Sequence, residues 1–230
     1  NKKEIFKEKP GQFDNLSGDL DYLDDIEFID QNPIGLSSRS NPVTYLKAYD
    51  EIRNLFASQN LAKLNQYKSK HFSFNVDGGR CDECKGEGTV KIEMQFMADV
   101  NLICETCKGK RFKKEILRIK FQKCNIDDVL KMTVNEAIKF FKKFNQNKIV
   151  KKIQPLKDVG MGYIQLGQSS STLSGGEAQR IKLATFLIKG NNKKKTLFIF
   201  DEPTTGLHFH DIKKLLRSFN SLIENGHSII

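Results

Sequence analysis

Two Cys-x-x-Cys pairs, Cys81/Cys84 and Cys104/Cys107, stand with nineteen residues between Cys84 and Cys104. That ligand set and spacing fit a tetrahedral four-sulfur zinc site. The repeat runs past the cysteines, because "CDECKGEG" and "CETCKGKR" both place Lys-Gly after the second Cys. Gly86 and Gly109 can take positive φ, which lets the backbone wrap and point N–H groups at sulfur. Thiolates need such donors, since four of them on Zn²⁺ carry a net charge of about −2. Four sulfurs leave no open position, so the expected role is structural, with four free thiols as the competing reading. Cys124 stands alone and is expected as a small buried hydrophobe. His208 and His210, two residues apart in a loop, are expected to be solvated.

A second group of residues suits phosphate chemistry. "STLSGGEAQRIKLATFL", residues 171–187, puts Ser174, Gly175 and Gly176 directly before an amphipathic segment, with Glu177 three residues after Ser174. This is a capping box at a helix start, where bare N–H groups favour an anion. "TLFIFDE", 196–202, is an apolar run closed by Asp201 and Glu202. An Asp at such a strand end can hold Mg²⁺ through water, and the adjacent Glu can orient or deprotonate the attacking water. A purely structural role is a poor account of two uncompensated carboxylates there. Twenty-three residues lie between Glu177 and Asp201, and no G-x₄-G-K-[ST] loop occurs among the 230 residues.

These residues need elements to hold them. "IEFIDQNPIG", 26–35, reads as a short strand stopped by Pro33 and Gly35. The spacing of Leu46, Tyr49, Ile52, Leu55 and Phe56 predicts one helix over 44–58. Alternation predicts strands at 71–76, at 90–96 with Val90, Ile92, Met94 and Phe96 on one face, and at 115–121 with Leu117, Ile119 and Phe121. Thr133 and Glu136 form a capping box, so a helix is expected from about 134. Gly190 is expected to end the 174–189 helix. The run 196–202 reads as a buried parallel strand. An amphipathic helix follows over 211–226, with Leu215, Leu216, Phe219, Leu222 and Ile223 inward, and "HSII" begins another strand. From 172 onward the order is α/β. Residues 1–25 are polar and expected as a loop or hairpin.

Lys and Arg number 38 against 28 Asp and Glu, a formal charge of +10. That favours a polyanionic partner, although a lysine-rich drift in composition would look the same. Between Lys108 and Lys123 there are eight Lys/Arg and one Glu. Those cations are either a solvated strand face or, at Lys108, Lys110 and Arg111, phosphate contacts. No run of eighteen apolar residues and no signal-peptide pattern is present. The cysteine usage points to a reducing, cytoplasmic setting. The start without Met and the end inside a strand pattern lead us to expect a fragment.

"LSGGEAQR" resembles the signature of ABC ATPases, and "TLFIFDEPTTGLH" resembles their Walker B strand and D-loop. With "RCDECKGEGTVKIEM", "CETCKGKRF" and "DVGMGYIQLGQSSSTLSGGEAQRIKLA", residues 26–230 resemble one family closely, the UvrA family of excinuclease ABC ATPases in bacterial nucleotide excision repair, in its second nucleotide-binding half. The resemblance implies a truncated α/β ABC-type P-loop ATPase domain with an inserted Cys₄ zinc ribbon and helical signature subdomain. Residues 1–50 would open the ATPase core, 51–170 would form the insertion with its zinc module at 77–123, and 171–230 would complete the core. It makes Gln31, in "IDQNPIG", the Q-loop contact to Mg²⁺ and water, beside Asp201 and Glu202. Ser174, Gly175, Gly176 and Glu177 would face the nucleotide of the opposite site, and Gly206, Leu207 and His208 would form the D-loop. "SSRSNPVTY" also matches, and adds Arg39 to the candidate DNA contacts. The lysine loop and the switch His would lie outside the chain, upstream and downstream. Implied ligands are ATP, Mg²⁺ and Zn²⁺. Implied partners are double-stranded DNA, a UvrB-like partner protein and, in a homodimer, another copy of the full-length chain, with no membrane. A transporter ATPase or a DnaJ-like zinc module is the alternative; the first lacks a reason for the Cys₄ insertion, and the second leaves "LSGGE…DEPTTG" unexplained.

Overall fold

A computed structural model describes residues 11–230 apart from 13, 16, 36, 38, 95–99, 190–193, 206 and 208, with backbone alone at 20, 189 and 210. The chain runs β1 (Asp25–Ile29), α1 (Pro42–Tyr45), α2 (Tyr49–Ala57), α3 (Asn60–Leu64), β2 (Thr89–Ile92), β3 (Val100–Ile103), α4 (Lys114–Leu117), α5 (Ile126–Lys131), α6 (Val134–Lys143), α7 (Asn147–Asp158), α8 (Gly175–Lys189), β4 (Thr196–Phe200), α9 (Phe209–Glu224) and β5 (Ser228–Ile229). Short 3-10 turns stand at Leu20–Tyr22, Ser69–Phe72 and Ser170–Thr172.

β1, β4 and β5 form a parallel sheet in the order β1-β4-β5, with Ile29 opposite Phe200 and Phe198 opposite Ile229. β4 is paired on both sides, which is why its sequence is a continuous apolar run. α8 and α9 cover the sheet through Phe186 on Phe198, ring centroids 4.9 Å apart, and Phe219 on Phe200 at 4.6 Å. Both parallel connections bring the chain back to the same end of the sheet, so the C-terminal ends of β1 and β4 share one edge.

Between β1 and α8 lies a helical lobe. Ile52, Phe56, Phe72, Phe74, Phe112, Ile126, Phe141 and Ile153 are buried in a core continuous with that of the sheet. The four cysteines form a separate buried cluster, and among the described residues Val90 is the one hydrophobic side chain packed against it. β2 and β3 make an antiparallel pair above it, and Ile92, Val100, Leu102 and Ile103 are exposed on that ribbon.

Several expectations are corrected. The helix predicted over 44–58 is two helices, because Lys47 adopts φ 54° and turns the chain between α1 and α2. Residues 71–76 are no strand: the 3-10 turn and its exit bury Phe72 and Phe74, and Tyr49 donates its hydroxyl to the Phe72 carbonyl at 2.7 Å. Residues 115–121 form α4 and a following turn, with Ile116 and Ile119 buried at helical spacing. The strand predicted over 90–96 covers 89–92, its apolar side chains Ile92 and Met94 face outward, and Gln95 and Phe96 lie outside the described residues. On α9, Leu215 and Leu222 are buried, whereas Leu216 and Ile223 are half exposed. Cys124 is only partly buried. The predicted stop at Gly190 and the side chains of His208 and His210 fall outside the described residues. β3, α5 and α7 were not expected.

Candidate functional site

Glycine starts α8 as anticipated. Ser174 N–H donates to Glu177 Oε2 at 2.8 Å, and Glu177 N–H donates to Ser174 Oγ at 3.3 Å. The reciprocal pair closes a capping box. Thr133 and Glu136 do the same at α6, with Thr133 N–H on Glu136 Oε2 at 2.8 Å. A Cβ on Gly175 would lie 2.9 Å from both Cβ and Oε1 of Gln31, so the α8 start and the turn after β1 meet only because Gly175 has no side chain. Gly176 abuts the Thr205 carbonyl and Arg180 Nη1, each 3.6 Å from where its Cβ would be.

Asp201 and Glu202 follow β4 and are exposed. Glu202 sits at φ 44°, a left-handed conformation that costs a non-glycine residue on the order of 1–3 kcal/mol and is concentrated at functional sites. Thr205 Oγ1 donates to Glu202 Oε2 at 3.2 Å. Among the described residues neither carboxylate forms an ion pair, and two adjacent acids without a cation fit a hard divalent ion such as Mg²⁺. Gln31 Nε2 reaches the Asp201 carbonyl at 3.5 Å. The structure therefore brings Gln31, Gly175, Gly176 and the Asp201–Thr205 turn together. Leu207 is partly buried, and its N–H donates to the Thr204 carbonyl at 3.1 Å. Gly206 and His208 lie outside the described residues.

Sequence reasoning missed the residues that hold this arrangement. Gln179, 2% exposed, donates its amide to the carbonyls of Ile29 and Asp201, both at 2.9 Å. Lys182, one turn on, donates to the Asp30 carbonyl at 3.1 Å and pairs with the Asp30 carboxylate. That hydrogen bond is the chief reason the Asp30 carboxyl lies below its ordinary range. Tyr163 was also missed; its hydroxyl donates to Glu177 Oε1 at 2.6 Å. Burial and this bond push the Tyr163 hydroxyl up to about 12.

Burial pushes the Glu177 carboxyl up, but hydrogen bonds from Tyr163 and Ser174 outweigh it and hold the group below the usual glutamate range. Glu136 is held low mainly by the Thr133 backbone N–H. A depressed folded value means that each carboxylate stabilises its helix start above the unfolded pKa of about 4.3, a contribution lost as pH falls through the folded value. Protection of the first-turn amides of α6 and α8, taken relative to the intrinsic exchange rate at each pH, is therefore expected to fall below about pH 4, while that of the middle of α7, which has no such box, is unchanged.

The four Sγ atoms lie within 4.8 Å of one another, with Cys81–Cys104 at 3.9 Å and Cys84–Cys107 at 3.6 Å. A tetrahedral zinc with sulfurs at about 2.3 Å sets its ligands about 3.8 Å apart, so the cluster fits that ion. The internal repeat recurs in the backbone: Lys85 and Gly86 take φ 48° and 87°, and Lys108 and Gly109 take 50° and 78°. Glu87 N–H then donates to the Cys84 carbonyl at 2.9 Å and Lys110 N–H to the Cys107 carbonyl at 3.0 Å. Gly88 N–H points at Cys84 Sγ at 3.3 Å. Burial pushes the Cys107 thiol up to about 12.

Of the candidate DNA contacts, Lys108 and Lys110 are exposed. Arg111 lies over the Phe74 ring at 5.4 Å, and burial draws its pKa down. Arg39 donates Nη1 to the Lys85 carbonyl at 3.3 Å, tying the segment after β1 to the first knuckle. No helix among the described residues is long and apolar enough to cross a membrane.

Comparisons with known proteins agree with this geometry. The family model described as "ABC transporter" matches residues 82–205. UvrABC system protein A of Staphylococcus epidermidis strain RP62A is 53% identical over 97% of this chain, which covers 23% of that protein. Its counterpart from Staphylococcus aureus strain COL is 52% identical over the same shares. The chain thus spans about a quarter of the length of the curated relatives it matches. The crystal structure of UvrA2 from Deinococcus radiodurans superposes with a TM-score of 0.85 and 43% identity, covering 93% of this chain and 25% of that one. With its capped Ser-Gly-Gly helix start and its paired acids on one sheet edge, the chain belongs to the ABC transporter family as one of its ATPase domains.

Proposed function

We propose that this chain is part of the DNA-damage-recognition ATPase of bacterial nucleotide excision repair, a UvrA-type protein that couples ATP binding and hydrolysis to damage search and to loading of a UvrB-like partner. The observation that carries the reading is the Cys₄ module inserted between β1 and α8 of an ABC ATPase core, supported by identity of about half to proteins named UvrABC system protein A. The core would be divided as 1–50 and 171–230, with 51–170 inserted and the zinc module at 77–123.

In this reading Asp201 would hold Mg²⁺ through water, and the ion when bound would offset charge on the phosphates. Glu202 orients and deprotonates the attacking water, and Gln31 reports from the adjacent strand end. Ser174, Gly175 and Gly176 present N–H groups to a nucleotide gripped by a second ATPase half, which in the full-length protein includes a homodimer partner. Zn²⁺ is the structural ion of the Cys₄ cluster. Lys108 and Lys110 contribute phosphate contacts to duplex DNA, and the setting is cytoplasmic.

The test uses the full-length gene product and a fluorescent duplex with and without a bulky adduct. Binding is expected to favour the adducted duplex and to depend on ATP. The Lys108→Ala/Lys110→Ala variant is expected to weaken both duplexes alike and to reduce the salt slope by about 1–2. Absence of DNA binding at low salt refutes the repair reading.

A further inference from the structure

The first turn of α8 carries an anion of its own. Glu177 Oε2 takes the Ser174 N–H, one of the groups that a helix start otherwise leaves open for a ligand. A phosphate cannot accept from that N–H while the carboxylate holds it. Two unit charges about 4 Å apart also repel by about 1 kcal/mol in water, and by more where water is partly excluded. The other carboxylate oxygen, Oε1, is already bonded to the Tyr163 hydroxyl at 2.6 Å. That hydroxyl gives the carboxylate a place to stay after it leaves Ser174. Arg180 stands behind the turn, 6% exposed, with Nη1 3.6 Å from where a Cβ on Gly176 would lie and Nε bonded to Met161 Sδ at 3.1 Å. Its buried charge favours an anion at this turn, whether from Glu177 or from a ligand.

We propose that Glu177 is a displaceable gate: its carboxylate occupies the phosphate position at the start of α8 when the site is empty, and turns from Ser174 onto Tyr163 when the terminal phosphate of a nucleoside triphosphate arrives. The inference rests on the ABC-type reading of Ser174–Gly176 and adds a regulation to that same site. Glutamine at 177 keeps both hydrogen bonds of the cap and removes the repulsion. Phenylalanine at 163 removes the resting place and leaves the carboxylate with Ser174 alone.

The experiment titrates inorganic tripolyphosphate into the ¹⁵N-labelled chain at constant ionic strength and follows the amides of Gly175 and Gly176, with the amides of 181–187 as a check that α8 is intact. The wild-type chain is expected to show saturable shifts. Glu177→Gln is expected to bind about five- to tenfold more tightly, the effect of removing one like charge at that separation. Tyr163→Phe is expected to bind several-fold more weakly than wild type. Equal affinities for wild type and Glu177→Gln, with Gly175 and Gly176 still responding, overturn the gate and leave the signature reading standing. No response at either glycine in the wild-type chain also overturns the gate, which needs the α8 start to take phosphate by itself, and leaves standing the signature reading, in which a second ATPase half grips the nucleotide.

Discussion

Serine in place of Cys84 is expected to abolish metal retention and unfold the knuckles, while purified wild-type chain carries about one zinc. Among the described residues the module has little apolar core of its own. Its buried cluster consists of four cysteines with Val90 alongside, and the ribbon above exposes Ile92, Val100, Leu102 and Ile103 instead of packing them. A two-stranded ribbon of this kind is marginal at best by itself in water. Structural zinc contributes on the order of 10–16 kcal/mol to the folding of small metal modules, far more than one lost side-chain contact. Elemental analysis should find less than about a tenth of an ion per chain in Cys84→Ser, against about one in Cys124→Ser. The helical lobe, with its own core around Phe56, Phe141 and Ile153, should keep its circular dichroism. Stoichiometric zinc in Cys84→Ser, or none in metal-replete wild type, removes the assignment.

Glu202→Gln is the second large effect. In a full-length protein that also supplies the lysine loop, steady-state ATP hydrolysis at this site is expected to fall about 10²- to 10⁴-fold, the range for removing a general base. Nucleotide binding should persist, because the amide is isosteric and Thr205 can still reach it from 3.2 Å. Single-turnover measurement separates the two quantities: binding amplitude retained, chemical step slowed. Unchanged hydrolysis at that site rules out the base role.

What could be read from residues alone was local chemistry. The boxes at Thr133/Glu136 and Ser174/Glu177, the doubly paired strand at 196–200 and the Lys-Gly turns after Cys84 and Cys107 all depend on near neighbours, and all are present. The failures share a cause. Alternation at 115–121 marks a strand only if a ladder partner exists; among the described residues there is only an isolated Phe121–Cys124 bridge, and Ile116 and Ile119 instead use helical spacing to reach the core. Residues 71–76 alternate because Phe72 packs on Phe56 and Phe74 on Tyr49, both buried. The cap of α5, where Asn125 Oδ1 accepts from Asp128 N–H at 3.0 Å, went unread because Asp stands in place of the usual Glu or Gln. α7 gave no such sign, for it lacks a side-chain cap and carries Pro155 inside. Gln179 and Tyr163 act across 150 and 14 residues, distances at which sequence spacing says nothing about contact.

The bifurcated amide of Gln179 makes α8 and the tips of two strands a single stiff lever. A tilt of the helix drags the Ile29 and Asp201 carbonyls with it, so under the proposed function the glycines that would face one nucleotide and the acids that would serve another keep a constant relative stance.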